Sequence, residues 1–140
     1  MWWLLLVLIF PNFVSSNTEC LWAAGRIVCN RDQALVKDTV IEIWDKDGPE
    51  KIGAVDILDP DDMAGLSVVD NEDGLFRVEG CASDIDWLGP FHRNRPEFYL
   101  KIRHRCLSPD FTEMTVKPPV NTYAPVTMDY FIDHPIVLDP

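Results

Sequence analysis

Apolar and polar residues alternate with a period of two along most of the chain, and no stretch carries a helical stripe of apolar positions. AGRIVC (24–29) reads as a first strand and NRDQALVKD as a polar turn. TVIEIWD is a second strand, with Ile41 and Ile43 on one face and Val40, Glu42 and Trp44 on the other. KDGPE breaks it. MAGLSVV (63–69) and LFRVEG (75–80) are third and fourth strands. DNEDG between them is rich in residues that tolerate left-handed backbone, so residues 63–80 are expected to form a hairpin. Residues 82–96 read as irregular. FYLKIRHRC (98–106) is the fifth strand and FTEMTVK (111–117) the sixth, ended by Pro118 and Pro119. One or two terminal strands follow, with Pro135 forcing an edge or a break. Many short strands at regular spacing predict a two-sheet antiparallel β-sandwich of about seven strands.

The first residues lie outside this pattern. MWWLLLVLIF is apolar but shorter than the roughly 20 residues a bilayer span needs. PNFVSS follows, with Val14 and Ser16 small enough for a signal-peptidase site. Residues 1–16 are therefore expected to be a signal peptide cleaved before Asn17, leaving one secreted, extracellular domain over 17–140. There is no Asn-x-Ser/Thr sequon. The 12 basic and 23 acidic residues leave a net charge of -11, which argues against general nucleic-acid binding and favours solubility through mutual repulsion.

The order of elements carries a resemblance. A cysteine-bearing first strand, then VIEIWDKD, DDMAGLSVVDNEDGLFRVEG and PEFYLKIRHRC, is similar to the transthyretin-like family of secreted nematode proteins over roughly residues 25–117. That family shows a CNGKP-like turn, a LWDKD-like strand end, a DDLMAEG…TDSNGEFELSG segment and a DPYLKIYHDC strand. Here CNGKP is CNRDQ, KIGAVDIL is inserted before the acidic pair, two of the family's usual cysteines are missing, and Cys20 and Cys81 are additional. The resemblance implies a transthyretin/prealbumin-like sandwich in which the second strand lies beside the fifth. It also implies extracellular binding or bridging, since a family member is implicated in linking exposed phosphatidylserine to a receptor on engulfing cells. A second implied role is an oligomeric carrier of a small apolar ligand. The 5-hydroxyisourate hydrolases share the fold but end in a YRGS-like tail, whereas this chain ends PIVLDP. No other catalytic motif is present, so an enzyme and a cofactor are not expected.

Four cysteines in a secreted chain read as two disulfides. If each connection reverses the chain, Cys20 and Cys81 fall at one end of the sandwich and Cys29 and Cys106 at the other. Bridged Cα atoms lie within about 7 Å, so Cys20–Cys81 and Cys29–Cys106 are expected. His104, two residues from Cys106, shares the inward face of its strand with Leu100 and Ile102, which predicts packing rather than a Cys–His nucleophile. His92 and His134 suggest no metal centre. Asp45, Asp47, Asp59, Asp61, Asp62, Asp84 and Asp86 fall at one end of the sandwich; solvated loop charge is the expected reading, with Ca²⁺ the alternative.

The charge pattern supplies the remaining candidate site. Arg93, Arg95, Lys101, Arg103 and Arg105 concentrate five of the 12 basic residues. Tyr99, Lys101, Arg103 and Arg105 share the outward face of the fifth strand, where Glu42 would sit opposite and Trp44 nearby. One glutamate cannot neutralise three cations, so an anionic lipid headgroup, a glycan or an acidic cell-surface partner is the expected ligand, contacted by Lys101, Arg103, Arg105, Tyr99 and Trp44.

Overall fold

The computed structural model describes residues 16–46, 61–85, 96–117, 127–131 and 134–140. The strands are β1 (Ser16–Val28), β2 (Val40–Asp45), β3 (Asp62–Val68), β4 (Leu75–Ile85), β5 (Phe98–His104), β6 (Thr112–Val116), β7 (Thr127–Phe131) and the two-residue β8 (Ile136–Val137). A 3-10 turn, Gln33–Val36, interrupts the polar stretch after β1, with the Asp32 carboxylate accepting from the Ala34 N–H at 3.0 Å. One sheet runs β4-β1-β7, with β8 also on β1; the other runs β3-β2-β5-β6. Among the described residues no helix is long and apolar enough to cross a membrane.

Alternation decides which side chains meet between the sheets. Leu21, Ala23 and Ile27 of β1 are buried, as are Ile41 and Ile43 of β2, Phe76 and Val78 of β4, and Leu100 and Ile102 of β5. Each fully buried Ile or Leu contributes about 1.5–3 kcal/mol. Met114 and Val116 of β6 pack against this core.

Three expectations change. Residues 63–80 are not a hairpin: β3 pairs with β2 and β4 pairs with β1, so the connection crosses between sheets. The turn itself is present, with Gly74 at φ 72°, but its carbonyl accepts from Ile27 N–H at 2.9 Å and so ties the loop to β1. A Cβ on Gly74 would lie 2.1 Å from the Ile27 carbonyl oxygen. β3 and β4 instead touch through bare backbone. A Cβ on Gly65 would lie 2.1 Å from the Glu79 carbonyl oxygen, and one on Gly80 would lie 2.6 Å from Ala64.

Second, β1 begins at Ser16 rather than Ala24, and β4 runs on to Ile85, into the stretch read as irregular, because the two strands pair with each other from Ser16↔Ile85 to Arg26↔Leu75. The expected cleavage point thus lies one residue inside β1; residues 1–15 are outside the described residues. Third, β7 and β8 run parallel to β1, so the first sheet is mixed rather than antiparallel.

Both disulfides are as the strand directions required. Cys20 and Cys81 are directly opposed in the β1–β4 ladder, with Cα atoms 4.0 Å apart. Cys29 and Cys106, 5.8 Å apart, join the two sheets at the end of the sandwich where β1 and β5 finish.

Candidate functional site

β2 and β5 build the candidate surface. They pair antiparallel with Val40↔Arg103, Glu42↔Lys101 and Trp44↔Tyr99, the adjacency the resemblance implied. Asp45, 2% exposed, accepts the Glu97 N–H at 2.7 Å, and Lys46 N–H donates to the Glu97 carbonyl at 3.1 Å. These bonds hold the start of β5 in register. Leu100, Ile102 and His104 turn into the core, while Tyr99, Lys101 and Arg103 face outward and are partly exposed.

The outward row is more ordered than a strip of free charge. The Glu42 side chain is only 5% exposed, and both its oxygens are used: Oε1 accepts from Arg103 Nη2, and Oε2 accepts from Trp44 Nε1 at 2.7 Å. Lys101 Nζ lies over the Trp44 ring at 4.2 Å from its centroid. The Arg105 guanidinium lies over Phe111 at 4.1 Å. Such cation–π contacts contribute about 0.5–1 kcal/mol at exposed sites. Among the described residues, Lys101 and Arg105 meet no carboxylate within ion-pair distance. Tyr99 donates its hydroxyl to Asp61 at 2.7 Å; burial, and then the Asp61 carboxylate, push its pKa above the ordinary phenol value and keep that proton in place. Glu113 sits opposite Arg103 on β6. Trp44, Tyr99, Lys101 and Arg103 thus fall on one face, with Arg103 committed to Glu42 and Lys101 resting on Trp44, while Arg105 follows the end of β5 and rests on Phe111. Arg93 and Arg95 lie outside the described residues.

The other candidates resolve into architecture. All four cysteines are bridged, so no thiol is free to act as a nucleophile. His104 is 1% exposed; its Nδ1 accepts the Cys106 N–H at 3.2 Å, and burial lowers its pKa, which keeps the ring neutral. Cys29, Cys106 and Asp139 offer atoms within metal-ligand distance of one another, but the sulfurs are joined and the carboxylate is occupied. It accepts N–H groups of Asn30 at 2.8 Å and Arg31 at 2.9 Å, bonds that hold its pKa below the usual carboxylate range and latch the C-terminal residues over that end. Of the acidic set, Asp45 and Asp61 hold the bonds already described, Asp62 and Asp84 sit in β3 and β4, and Asp47, Asp59 and Asp86 lie outside the described residues. His92 also lies outside them, and His134 is exposed. Among the described residues, none of these acids gathers with two others at metal-ligand spacing.

Periodicity alone does not reveal three features. Phe111 serves as the platform for Arg105. Glu19 points inward from β1 at 1% exposure, with both carboxylate oxygens lacking a hydrogen-bond partner. The third is a register shift in the β2–β3 ladder: Ile43 pairs with Gly65 but Trp44 pairs with Met63, so Ala64 is extra. That bulge returns Met63 to the outward face shared by Leu66 and Val68. The three side chains are 52%, 50% and 49% exposed.

No family model matches the chain, and no curated protein matches it. Among solved structures, a 9R-lipoxygenase from Cyanothece PCC8801 aligns with a TM-score of 0.42 and 15% identity, over 96% of this chain and 20% of that one. The chain therefore spans about a fifth of that protein's length.

Proposed function

We propose that the chain is a secreted, non-enzymatic binding or bridging protein of the transthyretin-like family, which engages an anionic partner through the outward face of β2 and β5. The family reading rests on the motif order from VIEIWDKD to YLKIRHRC, and the extracellular reading on the apolar leader and the two disulfides. The observation that carries the site is the pair Lys101 and Arg105. In a chain of net charge -11, these two cations rest on Trp44 and Phe111 rather than on carboxylates. A ring supports a cation without neutralising it, so each remains able to meet an anion. Arg103 is a poor ligand contact by comparison, because Glu42 already holds it.

The test compares the mature protein with a Lys101→Glu, Arg105→Glu double variant that leaves the Arg103–Glu42 pair intact. Binding is measured to phosphatidylserine-containing vesicles, to a sulfated glycan and to poly-glutamate at several salt concentrations. The native chain is expected to bind at least one of these, and the variant to lose at least tenfold. Equal binding by both proteins, or none by either, refutes the face as the site.

A further inference from the structure

We infer that the partner of this face is a protein segment, an acidic amphipathic helix, and that Met63, Leu66 and Val68 form the apolar half of its seat. The inference rests on the reading of Lys101 and Arg105 as contact residues. The register places Leu66, Glu42 and Lys101 in one row across three strands, and Met63, Trp44 and Tyr99 in the next. An exposed aliphatic ridge on β3 therefore runs alongside a cation-bearing row on β5, with β2 between them. Two strand spacings are about 10 Å, close to the diameter of a helix. A helix lying over β2 would set apolar side chains against Met63, Leu66 and Val68 and carboxylates toward Lys101.

The shape of the face separates this occupant from others. Four strands of about six residues present a footprint of roughly 400 Å², whereas a standard protein–protein interface buries about 800 Å² of accessible surface per partner. A single helix fits that area better than a second copy of the chain. Trp, Tyr, Met and Arg, all present here, are the residues enriched in protein interfaces. Lys101 and Arg105 rest on rings and Arg103 on Glu42, so Lys101 is the cation beside the seat that is left to meet a carboxylate. The bulge at Ala64 adds Met63 to the ridge of Leu66 and Val68 by re-aiming one side chain at a cost in ladder pairing.

The experiment is a titration of the full mature chain with a synthetic helix of about 14 residues, carrying Leu along one face and Glu along its flank. The Lys-for-Glu counterpart of the helix and phosphatidylserine vesicles serve as comparison probes. Three proteins are used: native, Met63→Ser with Leu66→Ser, and Lys101→Glu, each checked for intact disulfides and β-sheet circular dichroism. The inference expects the Leu/Glu helix to bind the native chain and to lose at least tenfold with either variant, and the Leu/Lys helix to bind at least tenfold more weakly. Loss with Lys101→Glu alone overturns the apolar seat and leaves the anion-binding reading standing. Failure of the Leu/Glu helix to bind also overturns the inference, while the vesicle, glycan and poly-glutamate measurements judge the broader reading separately. Vesicle binding that depends on Met63 and Leu66 overturns it in favour of a membrane.

Discussion

Each sheet carries an aromatic ring, a cation and a glutamate on its outer face, yet the two sets differ in kind. On the β4-β1 side, Arg77 lies over Trp22 at 4.8 Å and reaches Glu79 at 3.8 Å, with both charged side chains mostly exposed at 68% and 76%. On the β2-β5 side, Arg103 pairs with Glu42, whose side chain is 5% exposed. Water screens the first pair and leaves it worth little, whereas the second holds a carboxylate that water does not reach. The inner faces differ as well. His104 is buried with its Nδ1 satisfied, and Glu19 is buried with neither oxygen satisfied. Burial and hydrogen-bond accounting, rather than residue type, separate framework from candidate contact.

The sharpest break of this comparison is Arg103→Ala. It leaves the Glu42 carboxylate buried with only the Trp44 N–H, and the expected cost is about 1.5–3 kcal/mol, moderated by the partial exposure of Arg103. Arg77→Ala is expected to cost under about 0.5 kcal/mol. Urea midpoints of the two variants measure the contrast, and similar losses would erase the distinction between the faces. Pairing Arg103→Ala with Glu42→Gln should recover part of the loss, because the stranded charge is removed.

Glu19→Gln tests the inner face of the other sheet. Replacing an unpartnered buried carboxylate by a neutral group of the same shape is expected to stabilise the fold by about 1–2 kcal/mol in the same unfolding measurement. A destabilised variant would show that the carboxylate is held by something that offsets its burial.

Lys101→Met and Trp44→Leu probe a smaller term. Lys101→Met should cost about 0.5–1 kcal/mol through the lost cation–π contact, and Trp44→Leu more, because it also removes the Nε1 hydrogen bond to the buried Glu42 carboxylate; their combined effect should fall short of the sum.

The smallest effect is pH dependence at His104. Burial lowers its folded pKa below the ordinary histidine value of 6.5. Below about pH 6.5 the unfolded chain therefore binds a proton that the folded chain does not, and stability falls as pH decreases through that window. Relative to native, a His104→Gln variant should lose less stability between pH 7 and pH 5; parallel pH profiles would remove His104 as a source of the acid sensitivity.

Much of the architecture was legible in the alternation. The inward and outward halves of YLKIRH, the pairing of β2 with β5 and both disulfides followed from a period of two, the family resemblance and the reversal of direction at each connection. The separation of β3 from β4 was not legible. DNEDG reads as a reversing turn whether the next strand joins the same sheet or crosses to the other. The outcome rests on the Gly74 carbonyl meeting Ile27 and on Gly65 and Gly80 letting two backbones touch. Of the candidate surface, the outward placement of Trp44 on β2 and of Tyr99, Lys101 and Arg103 on β5 was legible in the alternation. Their inequality was not, because it depends on Glu42 being enclosed and on Phe111, six residues beyond Arg105, folding back beneath it.

What the amino-acid order determined alone is the local part: strand periodicity, the polar turns, the even cysteine count and the concentration of cations near β5. These rest on neighbouring residues and on side-chain period, which a linear chain carries. What only the tertiary structure decided is which sheet receives each strand, where the Ala64 bulge turns Met63 outward, and which charges are buried. Those depend on contacts between segments distant in the chain, where packing and desolvation set the outcome.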